Sequence, residues 1–154
     1  MLLRATGLWH DTLEARLYLA FAQLQLGRRD DARRLANSIL PDSVRMPRLM
    51  TYIAEVLARC GDTVQANQIA VNYKLRSQDS PVSKFRRASL EVALGEPQNA
   101  TFLLTAARKE HEPELLWLAV DPRFDPICDI RQFERIKEKH EIRRERSDPE
   151  MAFL

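Results

Sequence analysis

The sequence predicts an all-α fold, and three observations support this prediction. The chain is rich in Ala, Leu, Arg and Glu, which are strong helix formers, and only 7% of its 154 residues are aromatic. It holds four glycines and eight prolines, too few for a loop-rich or fibrous protein. Three of the glycines recur at a fixed interval, with alanines at constant distances on either side. We therefore expect repeated pairs of helices to organise the chain.

The repeat is defined by Gly27, Gly61 and Gly95, which are 34 residues apart in both intervals. Alanines lie at two fixed distances from them: Ala20, Ala54 and Ala88 before the glycines, and Ala32, Ala66 and Ala100 after them. A glycine that follows an apolar helical segment is typical of a helix that ends in a left-handed residue. Small side chains in the flanking helices let two backbones pack closely. Each unit is therefore predicted to be a helix, a glycine turn and a second helix.

Prolines indicate where several helices begin, because proline at the first helical position costs no hydrogen bond. Pro47 and Pro97 are expected to start helices, Pro41 to close the first unit, and Ser80 to cap the helix that opens the third unit. The predicted helices span about 13–26, 30–40, 47–60, 63–76, 82–94 and 97–109. The predicted repeats are 13–46, 47–80 and 81–114.

This pattern resembles the tetratricopeptide repeat (TPR), a helix pair with a period of 34 residues. The resemblance is carried by the small residue of the first helix, the turn glycine and the alanine of the second helix. The fourth, seventh and eleventh family positions, often Trp, Leu and Tyr, are mostly different here: Arg16, Leu19, Gln23; Met50, Ile53, Leu57; and Lys84, Arg87, Glu91. The resemblance implies a right-handed α-solenoid of three TPR-like helix hairpins plus C-terminal capping helices.

The segments on either side of the repeats follow other patterns. Residues 1–12 are interpreted as an N-terminal extension or the end of a preceding repeat, residues 115–146 as a capping segment, and residues 147–154 as a flexible tail. Within the cap, a short helix is expected over 114–120 and a longer one over about 130–146.

The capping segment contains two Asp-Pro steps, which favour turns because the residue before proline avoids the helical region. Phe124 lies between the two Asp-Pro steps and Ile127 follows the second, and both are expected to fold back and fill the apolar core. On the last helix, one side is expected to carry Phe133, Ile136 and His140. The Asp-Pro-Arg-Phe-Asp-Pro block is similar to the ending of TPR arrays in bacterial multidomain regulatory proteins. The resemblance therefore identifies the chain as a C-terminal array segment with its cap.

Composition restricts the other classes of function. The formal net charge is +2, too near balance to indicate nucleic acid or an anionic membrane. Cys60 and Cys128 are far apart and are interpreted as reduced, packed thiols. No phosphate-binding loop, metal-ligand spacing or nucleophile motif is present, so we expect no catalytic residue, no cofactor and no metal. Glu110, Glu112 and Glu114 are interpreted as a solvated loop, and the expected location is the cytoplasm.

The resemblance implies that the first helix of each repeat lines a concave, partner-binding face. The candidate residues of that groove are Phe21, Gln25, Arg48, Tyr52, Glu55, Arg59, Arg86 and Ser89. The same concave-face positions are also occupied by Leu17, Thr51, Val82 and Phe85. For Leu17, Phe21 and Phe85, packing in the core between units is an equally weighted alternative. Some family members grip a terminal carboxylate with a basic and amide clamp. Only Arg86 fits that clamp here, so the expected ligand contacts a mixed apolar and basic surface.

Three hypotheses of function follow. The first is a non-catalytic scaffold or regulatory module that binds a protein or peptide partner, or another domain of its parent protein. No membrane is expected among its partners. The second is self-assembly through an open first edge at Leu13, Leu17 or residues 2–5, which would give a homodimer. The third and least favoured is nucleic-acid binding through the basic helix at 131–146, where Phe133 is the single Phe, Tyr or Trp and no aromatic residues alternate with the arginines.

Overall fold

The computed structural model describes residues 12–138, and this part of the chain contains helices and turns but no strand. The prediction of an all-α fold is therefore confirmed for the described residues. The chain divides into two compact units, Met1–Val82 and Ser83–Leu154, which are described separately below. The boundaries proposed for the repeats and terminal segments stay predictions.

The first unit contains two pairs of helices. The first pair is α1 (Leu13–Gln25) and α2 (Arg29–Ile39), followed by a 3-10 turn at Pro41–Ser43, and the second pair is α3 (Pro47–Arg59) and α4 (Thr63–Asn72). Each helix packs against its partner, and α3 also packs against both α1 and α2. Alanines that have no exposed surface lie where these helices meet: Ala20, Ala32, Ala36, Ala54 and Ala66. Their small side chains permit close approach of the backbones.

The second unit contains the third pair of helices and the C-terminal segment. The pair is α5 (Lys84–Ala93) and α6 (Pro97–Lys109). Two 3-10 turns follow, Pro113–Trp117 and Pro122–Ile127, and then residues 131–138 form helix α7. One apolar core joins these elements, built from Phe85, Ala88, Val92, Ala100, Leu103, Leu104, Ala107, Leu115, Leu118, Phe124, Ile127, Phe133 and Ile136.

The three spaced glycines each follow the first helix of a pair, and each has a positive φ: 74° at Gly27, 90° at Gly61 and 79° at Gly95. At Gly61 the backbone N–H donates to the carbonyl of Ala58, and the next N–H, of Asp62, donates to Leu57. This is the Schellman arrangement, which satisfies carbonyls left open at a helix end. Glycine adopts the left-handed conformation without the steric cost of a Cβ, which explains the repeated turn.

The predicted helix limits are confirmed to within one or two residues for five of the six helices, and the sixth is corrected. Helix α4 ends at Asn72 and not at 76, because Lys74 takes a left-handed φ of 51°. The N–H of Lys74 donates to the carbonyl of Val71 and that of Leu75 to the carbonyl of Ala70, which is the same Schellman arrangement formed without glycine.

Two further expectations about local structure are corrected. The cap of α5 is Ser83, whose side chain accepts a hydrogen bond from the N–H of Arg86, whereas Ser80 accepts one from Val82 in the preceding turn. The short helix expected over 114–120 is a 3-10 turn that ends at Trp117. Pro47 and Pro97 begin α3 and α6 as predicted.

The capping segment fills the apolar core as its sequence predicts. Phe124, Ile127, Phe133 and Ile136 are each at most 3% exposed. The ring of Phe124 lies 5.1 Å from that of Phe85 and 6.2 Å from that of Phe133, measured between centroids. The predictions for His140, the rest of the last helix and the two termini lie outside the described residues.

Candidate functional site

The candidate groove of the first unit centres on an aromatic pair. Phe21 of α1 and Tyr52 of α3 pack edge to face, with ring centroids 5.8 Å apart and an interplanar angle of 87°. This arrangement places the positive edge of one ring against the negative face of the other. Both side chains are half-buried, and both Gln25 and Arg48 are exposed. The structure therefore brings together two predicted groove residues from successive helix pairs.

A charged pair lies one turn further along α3. Glu55 has no exposed surface, and its Oε1 accepts from Nε of Arg59 at 3.0 Å and from Nη2 at 2.9 Å. The Arg59 side chain keeps 19% of its surface exposed. The sequence placed Glu55 on the binding surface, but its burial leaves it no area for a partner. It holds the guanidinium of Arg59 in place instead.

The two candidates of the second unit lie in different environments. Arg86 is half-buried, and its Nη2 lies 3.5 Å from Oε1 of Glu114. Ser89 has no exposed surface, so the expectation that it contacts a partner is corrected. The further positions that the sequence assigned to the concave face belong to the core instead. The residues there are at most 5% exposed: Leu17, Thr51, Val82 and Phe85.

Three alternate glutamates after α6 bind the first turn of α5. Glu110 Oε2 accepts from Nζ of Lys84 at 2.6 Å, and the carboxylate of Glu112 accepts from the backbone N–H groups of Lys84 and Phe85 at 2.8 and 2.9 Å. Glu114 pairs with Arg86. The sequence interpretation of a solvated loop is therefore corrected for Glu112 and Glu114, which are half-buried, whereas the Glu110 side chain is 54% exposed. The signal that could have revealed these contacts is the basic first turn of α5, which lies 26 to 28 residues earlier in the chain.

A second buried charge was missed on α5. Arg87 is 7% exposed and Glu91, one turn later, is 3% exposed. Glu91 Oε2 accepts from the side-chain amide of Asn99 at 3.2 Å. Burial lowers the pKa of the Arg87 guanidinium, and the negative charges of Glu91 and Glu112 oppose that shift. Helix α5 thus carries two charged side chains whose burial the sequence did not predict.

The two thiols differ in environment. Cys60 is 5% exposed, its Sγ lies 3.3 Å from the carbonyl oxygen of Arg29, and its own carbonyl accepts from Arg33 at 2.9 Å. Burial raises the pKa of the Cys60 thiol, and the charges of Arg33 and Arg29 oppose this. Cys128 is exposed, which corrects the expectation that both thiols are packed. A raised pKa disfavours the thiolate form that nucleophilic chemistry needs.

Between residues 12 and 138, no three or more His, Cys, Asp or Glu side chains converge where they could hold a metal ion. Within the same range, no helix is both long enough and apolar enough to cross a bilayer. No family model, curated protein or solved structure matches the chain.

Proposed function

We propose that the chain is a non-catalytic interaction module. In this proposal its helix pairs are TPR-like and form a right-handed α-solenoid, which holds a peptide or helix of a partner protein. The first contact surface is the aromatic pair Phe21 and Tyr52, flanked by Gln25, Arg48 and Arg59. Arg86 is a candidate for a further contact in the second unit.

One observation carries the proposal: the edge-to-face contact of Phe21 and Tyr52. These residues lie on the first helices of two successive pairs, and both side chains remain only half-buried after the rings pack on each other. Rigid, partly exposed aromatic side chains supply much of the binding energy of protein interfaces. Pairing fixes both rings before a ligand arrives, which reduces the ordering cost of binding.

The charges near the aromatic pair define the partner's chemistry. Arg48 is exposed, and Arg59 keeps a fifth of its side-chain surface accessible while Glu55 fixes its position. A preorganised guanidinium forms bidentate hydrogen bonds with carboxylates. The partner segment that fits best therefore combines one or two apolar side chains for the rings with nearby Asp or Glu residues.

A random peptide library, selected on the purified full chain, tests this proposal without assuming a partner. Selected peptides are synthesised with a fluorophore, and their affinities are measured for wild type, Tyr52→Ala and Arg48→Glu. We expect Tyr52→Ala to weaken binding by about tenfold or more, as for a buried aromatic contact. The selected sequences should be enriched in acidic and apolar residues.

Val64→Ala provides the matched control, since Val64 is 70% exposed and lies on α4, which carries neither ring of the aromatic pair. It should leave the affinities unchanged. If the selected peptides bind wild type, Tyr52→Ala and Arg48→Glu equally well, the surface is not the binding site. If selection returns no peptide that binds the wild type above background, the proposed function itself is wrong.

A further inference from the structure

Helix α1 has a second apolar face, on the side opposite its buried residues. The face consists of Ala15, Tyr18, Leu19, Ala22 and Leu26, spaced at i, i+3, i+4, i+7 and i+11. This spacing places the residues in one stripe along a helix, which we name the α1 stripe. Tyr18 is 60% exposed, Leu19 is 45% and Leu26, at the helix end, is 67%. Leu17 and Ala20, on the other side, are buried.

The corresponding face of α3, the first helix of the second pair, is covered by other helices. Residues 34 positions later are Leu49, Tyr52, Ile53, Val56 and Cys60 of α3 and its cap. Four of these five are at most 5% exposed, because α3 packs against α1 and α2. The contacts include the Sγ of Cys60 with the carbonyl oxygen of Arg29. In the second helix pair, the residues that correspond to the α1 stripe thus form a surface that packs against other helices.

We propose that the α1 stripe binds the α1 stripe of a second copy, with the two helices antiparallel across a two-fold axis. The sequence of the stripe is self-complementary in that arrangement. With the axis between residues 20 and 21, Ala15 lies opposite Leu26 of the other copy, and Leu19 lies opposite Ala22. Leu19 and Leu26 therefore each meet an alanine, Tyr18 lies opposite Gln23, and every such contact occurs twice, as an isologous interface requires.

Charge supports the same arrangement. Glu14 lies at the start of the stripe and Arg28 just beyond its end, and both residues are exposed. An antiparallel pair brings Glu14 of one copy to the level of Arg28 of the other, at both ends of the interface. A parallel pair would instead align Glu14 with Glu14, and like charges at an interface disfavour association.

A head-to-tail chain of copies is less compatible with the second unit. Such an assembly needs another open apolar face to receive the stripe. In the second unit the apolar side of α5 is covered by Phe124, Ile127 and Phe133 of its own chain. The α5 face is therefore not open to receive the stripe, and a closed dimer needs no surface besides the stripe itself.

The interface is small, and this sets the expected affinity. The stripe extends about 17 Å along the helix, from Ala15 to Leu26. An interface of one helix from each copy lies at the low end of the range for specific complexes, so we expect a dissociation constant of about 10–100 µM. The dimer does not depend on the peptide-binding function proposed above, because Phe21 lies outside the stripe.

Sedimentation velocity on the full chain, over about a thousandfold range of concentration, measures the association. We expect the wild type to change from monomer to dimer, and Leu19→Glu to weaken dimerisation by about tenfold or more because a carboxylate would be buried. Val71→Glu is the matched control, since Val71 is 70% exposed on α4; it should dimerise like the wild type. A wild type that stays monomeric throughout, as it would if another part of the chain covered the stripe, overturns the proposal.

Disulfide formation between variants that each carry one introduced cysteine, besides the buried Cys60, tests the direction and needs only mild substitutions. In a Cys128→Ser background, copies with Leu19→Cys are mixed with copies with Ala22→Cys and oxidised. The antiparallel arrangement predicts that mixed dimers exceed the homodimers of Leu19→Cys, and that Ala15→Cys pairs with Leu26→Cys. Random pairing, or a preference for like with like, would contradict the arrangement even if Leu19→Glu fails to fold.

Discussion

The carboxylate of Glu112 accepts a hydrogen bond from the backbone N–H of Lys84 at 2.8 Å, although the two residues are 28 positions apart. Its second oxygen accepts from the N–H of Phe85 at 2.9 Å, and Ser83 accepts from that of Arg86. The first three N–H groups of α5, which have no partner within the helix, are therefore all bonded. A charged acceptor at this end is also favoured by the helix dipole. Glu112 follows α6, so this contact fastens the end of the third helix pair to its beginning.

Glu112→Ala is predicted to destabilise the protein by about 1–2 kcal/mol, the cost of a lost helix cap with a charge-assisted component. The free energy of unfolding, measured by urea denaturation, gives the value. Glu112→Gln keeps an oxygen that accepts one hydrogen bond, and should lose less. Glu138→Ala, at an exposed position of α7, should change stability little. Equal losses for Glu112→Ala and Glu138→Ala would show that the long-range cap contributes nothing.

Substitutions at two left-handed turn residues should act in opposite directions. A Cβ built at Gly61 meets nothing within 4 Å, so the cost of Gly61→Ala arises from its φ of +90° alone. We expect a loss of about 1–2 kcal/mol. At Lys74, whose φ is 51°, Lys74→Gly should gain up to about 1 kcal/mol by removing the same strain.

Lys74→Ala separates backbone strain from the lysine side chain at this position. It removes the charged side chain but keeps a Cβ in the left-handed conformation, so stability should stay near that of the wild type. Thermal and urea unfolding of the three variants provide the comparison. A gain for Lys74→Ala as large as that for Lys74→Gly would attribute the effect to the side chain and reject the backbone explanation.

The helices could be predicted from sequence because the signals that define them are local. A glycine after an apolar segment permits the Schellman turn, and a proline at the first position starts the next helix; both effects act within a few residues. The end of α4 could not be predicted in this way. Lys74 adopts the left-handed conformation without being glycine, and no residue type near it signals the turn.

The candidate site was predicted less well because it depends on distant contacts. Phe21 and Tyr52, both predicted on the first helices of their pairs, lie in contact. Glu55 and Ser89 share a register position, yet both are buried. Helical periodicity places them on one face, but only the packing of neighbouring helices decides whether that face is exposed. The contacts of Glu112 with α5 likewise depend on the tertiary fold.

The ion pair of buried Glu55 with half-buried Arg59 should be costly to break, whereas replacing both charges with apolar side chains should cost little. Arg59→Ala leaves a buried carboxylate without its guanidinium, and we expect a loss of about 3 kcal/mol. The double variant Glu55→Leu/Arg59→Met replaces both charges with apolar groups and should lose much less. Urea denaturation of both single variants and the double variant gives the coupling energy.

Arg34→Ala is the matched control for Arg59→Ala. Its ion pair with Asp31 is also within one turn of a helix in the first unit, but the two side chains are 78% and 40% exposed. Exposed pairs contribute less than about 1 kcal/mol. If Arg59→Ala and Arg34→Ala destabilise the protein equally, burial of Glu55 has no energetic consequence and the double variant should recover nothing.

Alkaline pH should destabilise the fold through Cys60. Burial raises the pKa of this thiol above its ordinary value of 9.0. Below that value the thiol is protonated in both the folded and the unfolded chain, so its contribution is fully present. Above it, the unfolded chain releases the proton while the folded chain retains it. Because the unfolded state then binds fewer protons, the free energy of unfolding falls as pH rises through this window.

Comparison of wild type with Cys60→Ala, both carrying Cys128→Ser, isolates this effect from other groups that titrate at alkaline pH. Urea denaturation at about pH 8 and about pH 10 brackets the ordinary thiol pKa. We expect the wild type to lose more stability between these two conditions than Cys60→Ala loses. As an independent measure, iodoacetamide at the lower pH should modify Cys128 of the unsubstituted chain well before Cys60, since it reacts with accessible thiolates. Identical pH dependence in the two proteins, together with equal alkylation rates, would show that Cys60 is not protected by the packing of α3 on α2.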